Sequence, residues 1–149
     1  MSFSGSYLFL IIAVIAGVAM AFQGALNSAL AKIIGLWEAT FLVHMSATLI
    51  LILIVFLFKM GKGDFSLYYK APWYLYLGGI IGILITYGVV ISIPELGAAN
   101  ATTAIIVGQV LTALLIDQLG FCGLKEISFT WIKLLGLVFL SIGARLLLK

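Results

Sequence analysis

The chain has 149 residues, of which 64% are hydrophobic and 9% charged, with a formal net charge of +3 and a mean hydropathy of +1.31. An ordinary soluble domain is about 45–50% apolar and about 25% charged, so no polar surface can cover this chain and its solvent must be lipid. The cations sit singly at the ends of apolar spans rather than in a basic run, which is how membrane proteins place Lys and Arg and which excludes nucleic acid as a partner.

A helix crossing about 30 Å of hydrocarbon needs about 20 apolar residues. Five stretches qualify: Tyr7–Ala31, Ala39–Phe58, Trp73–Ile93, Gly97–Leu119 and Trp131–Leu148. They predict an all-α, polytopic membrane protein in which residues 1–149 form a single five-helix transmembrane domain.

The first span opens like a signal peptide, with Leu8–Ala16 as the apolar core and Ala19-Met20-Ala21 as the cleavage site. No Lys or Arg precedes it, and the apolar character runs on past the site, so it reads as a retained first membrane helix. Inside it lie Gln23 and Asn27, four apart and therefore on one helical face, flanked by Gly24 and Ser28. Side-chain amides at that depth need another helix or a wet cavity to satisfy them. They act either as interhelical glue or as the lining of a cavity, and two on one face favour the lining.

The second span, bounded by Glu38 and Lys59, carries Thr40, His44 and Thr48 at i, i+4 and i+8. His44 is the only histidine, the side-chain type whose charge changes near neutral pH. Proton coupling is one reading; a neutral imidazole hydrogen-bonded to a carbonyl or another helix is the other. The third span starts after Pro72 and is expected to stop at Pro94, because proline ends helices. Gly78, Gly82 and Thr86 repeat small residues every fourth position, a packing seam. Tyr87 is the one phenol deep in a span and a candidate cavity liner.

The fourth span is the most polar, with Asn100, Thr102, Thr103, Gln109, Thr112 and Asp117. Gln109 falls near the bilayer centre, and Thr102, seven residues before it, lies nearly in register on the same face. Asp117 reads as a solvated carboxylate at the membrane edge, with a cation site as the other reading. In the fifth span Gly136 and Gly143 suggest a dimer or bundle seam, and Arg145 can snorkel to the surface.

The connections are short. Gly61-Lys62-Gly63-Asp64 and Pro94-Glu95-Leu96-Gly97 are turn-forming, so sequential helices are antiparallel neighbours. Five crossings place Tyr7, Tyr68, Tyr69, Trp73 and Trp131 at one membrane face (side A) and Trp37 at the other (side B), each at a span edge, where aromatic belts form. Side A carries Lys59, Lys62, Lys70, Lys125 and Lys133; side B carries Lys32, Arg145 and Lys149. The positive-inside rule makes side A cytoplasmic, but the bias is small enough for insertion both ways. With an odd number of crossings, two oppositely inserted copies would form an inverted repeat, the common architecture of secondary transporters.

Cys122 is the only cysteine, so no intrachain disulfide forms, and one Cys with one His makes no zinc site. No cofactor or metal is expected. No nucleophile–base spacing stands out, so an enzyme is not expected. No Asp or Glu sits at mid-depth in any span, which argues against proton-driven export of organic cations.

The pattern Gly17-x5-Gln23-x3-Asn27-x2-Leu30, the run Leu96-Gly97-Ala98-Ala99 followed by Gly108-Gln109 and Ile116-Asp117, and Gly136-x6-Gly143 resemble the YdcZ family of the drug/metabolite transporter superfamily, nearly end to end. The resemblance implies a five-helix half-transporter of the plasma (inner) membrane. It also implies that a single-gene member inserts with dual topology and pairs as an antiparallel homodimer. The related small multidrug exporters use a first-helix glutamate; this chain has Gln23 and Asn27 in that helix and no such acid, so their cation/proton chemistry does not carry across.

The expectation is therefore a multi-pass secondary transporter working by alternating access, with itself, membrane lipid and an unidentified small solute as partners. Gln23, Asn27 and Gln109 are its first candidate solute contacts, followed by Thr102, His44, Asn100 and Tyr87. A dual-topology passive channel and a non-transporting membrane scaffold are the alternatives.

Overall fold

A computed structural model describes residues 3–148; Lys149, one of the cations assigned to side B, lies outside the described residues. All regular structure in these residues is helical: α1 (Phe3–Ile34), α2 (Leu36–Ile52), α3 (Gly78–Leu96), α4 (Ala98–Leu119) and α5 (Trp131–Leu147). Four segments are long and apolar enough to cross a membrane: Tyr7–Ile34, Leu36–Leu57, Trp73–Leu96 and Ala98–Leu119. The 17 residues of α5 rise about 26 Å, at the short limit of a crossing. The chain divides into two compact units, Met1–Pro94 and Glu95–Lys149.

In the first unit α1 and α2 form a helical hairpin closed by one residue, Gly35. Its N–H donates to the Ala31 carbonyl and its own carbonyl accepts from Ala39 N–H, both at 3.0 Å. The turn needs φ +101°, which side chains with a Cβ resist. The hairpin's inner face is made of small residues, and Ala39 is only 1% exposed.

α2 ends in a wider π-helical turn, Leu53–Leu57, where Phe58 N–H reaches back to Leu53 and Met60 N–H to Ile54. Lys59 takes the left-handed conformation, φ +52°, that closes it. The following connection is not plain loop: Asp64 accepts from Ser66 N–H at 2.8 Å and starts a 3-10 turn over Phe65–Lys70. Hydrogen bonds from Ser66, its hydroxyl first and its backbone N–H second, hold the Asp64 carboxyl below its ordinary range. A second 3-10 turn, Trp73–Leu77, leads into α3.

α3 departs from the sequence expectation at its end. Pro94 was expected to stop the helix, yet α3 continues through it to Leu96, with Pro94 inside. Proline breaks helices because it lacks an N–H and crowds the preceding turn. In membrane helices it is tolerated where a side chain of a neighbouring helix satisfies the carbonyl it frees. Here the Ser28 hydroxyl of α1 donates to the Val90 carbonyl of α3 at 3.5 Å. The expected four-residue turn Pro94–Gly97 thereby shrinks to Gly97 alone.

The second unit begins with that turn. Gly97 has φ 81°, ψ 155°, close to the φ 101°, ψ 156° of Gly35. Its carbonyl accepts from Ala101 N–H at 3.0 Å, and Ala101 is 1% exposed, like Ala39. A threonine follows each alanine, so Gly35-x-x-x-Ala39-Thr40 and Gly97-x-x-x-Ala101-Thr102 are one corner written twice. α4 ends at left-handed Gly120, and Ile127 N–H of the ensuing loop donates to the Asp117 carbonyl at 2.8 Å. Thr130 caps α5 by accepting from Lys133 N–H. α5 packs on α4. Of the dimer or bundle seam expected at Gly136 and Gly143, the bundle form is not seen within the chain, since a Cβ at either meets nothing within 4 Å. Burial falls instead on Ala144, which faces Ala104 and Val107 across a shared groove.

Candidate functional site

Gly24, Asn27 and Ser28 are the buried residues of the described part of α1. Their i, i+3, i+4 spacing makes them one stripe, and α3 lies on it. A Cβ on Gly24 would stand 2.9 Å from Val89 Cγ1 and 3.0 Å from Ile93 Cδ1, so glycine is what permits the approach. Asn27 is 8% exposed, and none of the side-chain hydrogen bonds among the described residues involves its amide. Yet no fully enclosed side-chain N or O in those residues lacks a partner. The amide atoms of Asn27 therefore keep a little surface that a water-sized group can touch. A neutral donor–acceptor group, nearly buried and with no hydrogen-bond partner among the described residues, is suited to hold a polar solute.

Gln23, expected on the same face, is exposed. The structure does not join the two amides into one enclosed pair.

On α2 the polar stripe is folded back on its own backbone. Thr40 Oγ1 donates to the Leu36 carbonyl at 2.9 Å, and Thr48 Oγ1 to the His44 carbonyl at 2.8 Å. His44 Nδ1 lies 2.9 Å from the Thr40 carbonyl. A carbonyl only accepts, so Nδ1 donates this bond and Nε2 is left out of it. Nε2 points at α3, 3.8 Å from where a Cβ on Gly82 would sit. The bond to a backbone carbonyl is present, and it is compatible with both readings of His44, since a protonated ring donates through Nδ1 too. Tyr87, also on α3, stacks on Trp37 of α2 with ring centroids 5.0 Å apart and planes tilted by 31°. The two rings bridge α2 and α3. The interfacial position expected for Trp37 is thus combined with an inward aromatic contact.

The remaining candidates belong to the second unit. Gln109 is exposed at the midpoint of α4, and Asn100 and Thr102 are half-buried one turn from its N-terminus. The neighbouring Thr103 hydroxyl is committed to the Ala99 carbonyl at 2.8 Å. No group of three or more His, Cys, Asp and Glu able to hold a metal occurs among the described residues. Every candidate liner is neutral in at least one of its forms, and no carboxylate stands beside them at mid-helix.

Ser28 and the Val90 carbonyl were not singled out by the sequence. Pro94 signals which carbonyl is freed, by counting back four residues. Which hydroxyl meets it depends on the packing of α1 against α3.

A comparison with protein-family models matches residues 8–146 to the family described as "Putative inner membrane exporter, YdcZ". No curated protein and no solved structure matches.

Proposed function

The chain belongs to the YdcZ family of inner-membrane exporters, and on that premise we propose that it moves a small solute by alternating access as an antiparallel homodimer of a five-helix membrane domain. Membership places it in the inner membrane and among exporters rather than enzymes. In the proposal Asn27 and Gln23 hydrogen-bond the solute from α1 and Gln109 from α4, with Thr102, Asn100, His44 and Tyr87 as further liners. Amides both donate and accept, so neutral, zwitterionic and anionic solutes suit them as readily as cations.

One observation carries the reading. Gln23 and Gln109 are exposed well inside segments that are long and apolar enough to cross a membrane. An amide moved from water to hydrocarbon with no hydrogen bond costs roughly 2–7 kcal/mol. Two such groups on one small chain are retained where they face water, a solute or a second copy rather than acyl chains.

The test is uptake of tritiated neutral and zwitterionic solutes into proteoliposomes. Saturable uptake that drops at least tenfold in Gln23→Leu and in Gln109→Leu supports the assigned contacts, and unchanged uptake in both overturns them. Flux that never saturates and reaches channel rates replaces the carrier with a channel. Tags on each terminus, mapped for sidedness, test the antiparallel pairing. Each tag on both faces of the membrane supports it, and a single orientation refutes it.

A further inference from the structure

In an α-helix the carbonyl of residue i accepts from the N–H of residue i+4. For Val90 that residue is Pro94, which has no N–H. Val90 is 3% exposed, so solvent does not stand in for the missing donor. The group that meets the carbonyl is the Ser28 hydroxyl, on a residue also 3% exposed, at 3.5 Å. That distance is at the outer limit of a hydrogen bond. The contact holds, but weakly.

Two independent features mark the same place. The chain passes from its first compact unit to its second directly after Pro94. Three residues on, the backbone turns through Gly97 at φ +81°. A missing helical bond, a unit boundary and a one-residue turn thus fall within eight residues, and a side chain from α1 meets the first of them. Its sequence neighbour is Asn27, the nearly buried amide with a little accessible surface left.

We infer that the Ser28 hydroxyl is the latch of a hinge at the C-terminal end of α3. While it bonds the Val90 carbonyl, the proline-broken turn lies against α1. When it lets go, residues 91–97 are free to bend about Pro94. Ser28 is a positioning residue: it acts on the backbone of α3, not on the solute. Its part in transport rests on the function proposed above; the latch itself does not.

The experiment is hydrogen–deuterium exchange of the full chain in lipid nanodiscs, following the amides of Glu95 and Leu96. An interhelical hydrogen bond in a membrane averages about 0.6 kcal/mol, roughly threefold in an opening equilibrium. Ser28→Ala is expected to speed exchange roughly threefold, and Ser28→Thr, which keeps the hydroxyl, to leave it at the wild-type rate. Pro94→Ala restores an N–H for the Val90 carbonyl, so adding Ser28→Ala to it should change nothing further. Equal exchange in the Ala and Thr variants overturns the latch, as does an undiminished Ser28→Ala effect in the Pro94→Ala background. Should Pro94→Ala not fold, the Ala/Thr comparison decides alone. With any tritiated solute that the wild type takes up, Ser28→Ala should change turnover and leave half-saturation within twofold. Shifted half-saturation at unchanged turnover would make Ser28 a solute contact and end the latch reading. The exchange measurement needs no solute, so it stands even if no uptake is found.

Discussion

Replacing Gly24 by alanine tests the α1–α3 contact on which the candidate site is built. The new Cβ would lie 2.9 Å from Val89 Cγ1 and 3.0 Å from Ile93 Cδ1. The Ile93 atom is the end of a flexible side chain and can swing aside. The Val89 atom belongs to a β-branched residue with one preferred rotamer in a helix, so the helices must part. Overpacking of this kind costs about 1–3 kcal/mol, set against a gain of about 1 kcal/mol when glycine becomes alanine in a helix. Gly17, on the same helix, has nothing within 4 Å of its Cβ position, so Gly17→Ala should show the gain alone. The difference between the two variants, about 1–3 kcal/mol, isolates the cost of separating α1 from α3. Thermal unfolding of detergent-purified protein reads it, since 1 kcal/mol corresponds to about 2–4 °C for a chain of this size. Gly24→Ala should melt at least about 2 °C below Gly17→Ala. If the two melt together, α1 and α3 do not meet at Gly24, and the buried stripe around Asn27 is misplaced.

Two further outcomes concern the ends of α2 and the loop that follows. Lys59 holds φ +52° without being glycine, a conformation that costs an L-residue about 1–2 kcal/mol; Lys59→Gly should raise the melting temperature by a few degrees, and a lower one would show that the lysine side chain makes a contact worth more than the strain. The Asp64 carboxyl is held below its ordinary range by Ser66, so its bonds stabilise the loop above the carboxyl's unfolded pKa and are lost as pH falls through the lowered folded value. Carboxyl-labelled NMR should show Asp64 titrating below a free aspartate, and Ser66→Ala should move it back up.

Much of this fold was legible from apolar run length alone. Five membrane-crossing helices were expected; among the described residues four segments are long and apolar enough to cross and α5 is a fifth, shorter helix, because about twenty consecutive apolar residues have few other options in lipid. Boundaries were less legible. α2 begins at Leu36, not Ala39, because Gly35 turns the chain in a single residue. Pro94 misled for a physical reason: the rule that proline ends a helix assumes that nothing else satisfies the freed carbonyl. The donor, Ser28, is 62 residues away in sequence, and no local pattern points to it. The polar candidates were legible as types and positions. Their surroundings were not, since Gln23 and Asn27 share a helical face in sequence yet differ in exposure. Neither burial nor the stacking of Tyr87 on Trp37 follows from spacing on one helix.

The twin one-residue corners at Gly35 and Gly97 constrain how this chain can vary. Each inserted residue would swing the following helix by about 100°, carrying Ala39 or Ala101 out of its contact. Length changes at these corners should therefore be excluded, and those in the longer connections at 58–72 and 120–130 should cost less. Insertions, fusion partners and epitope labels belong in those two stretches, and natural variation in loop length should collect there.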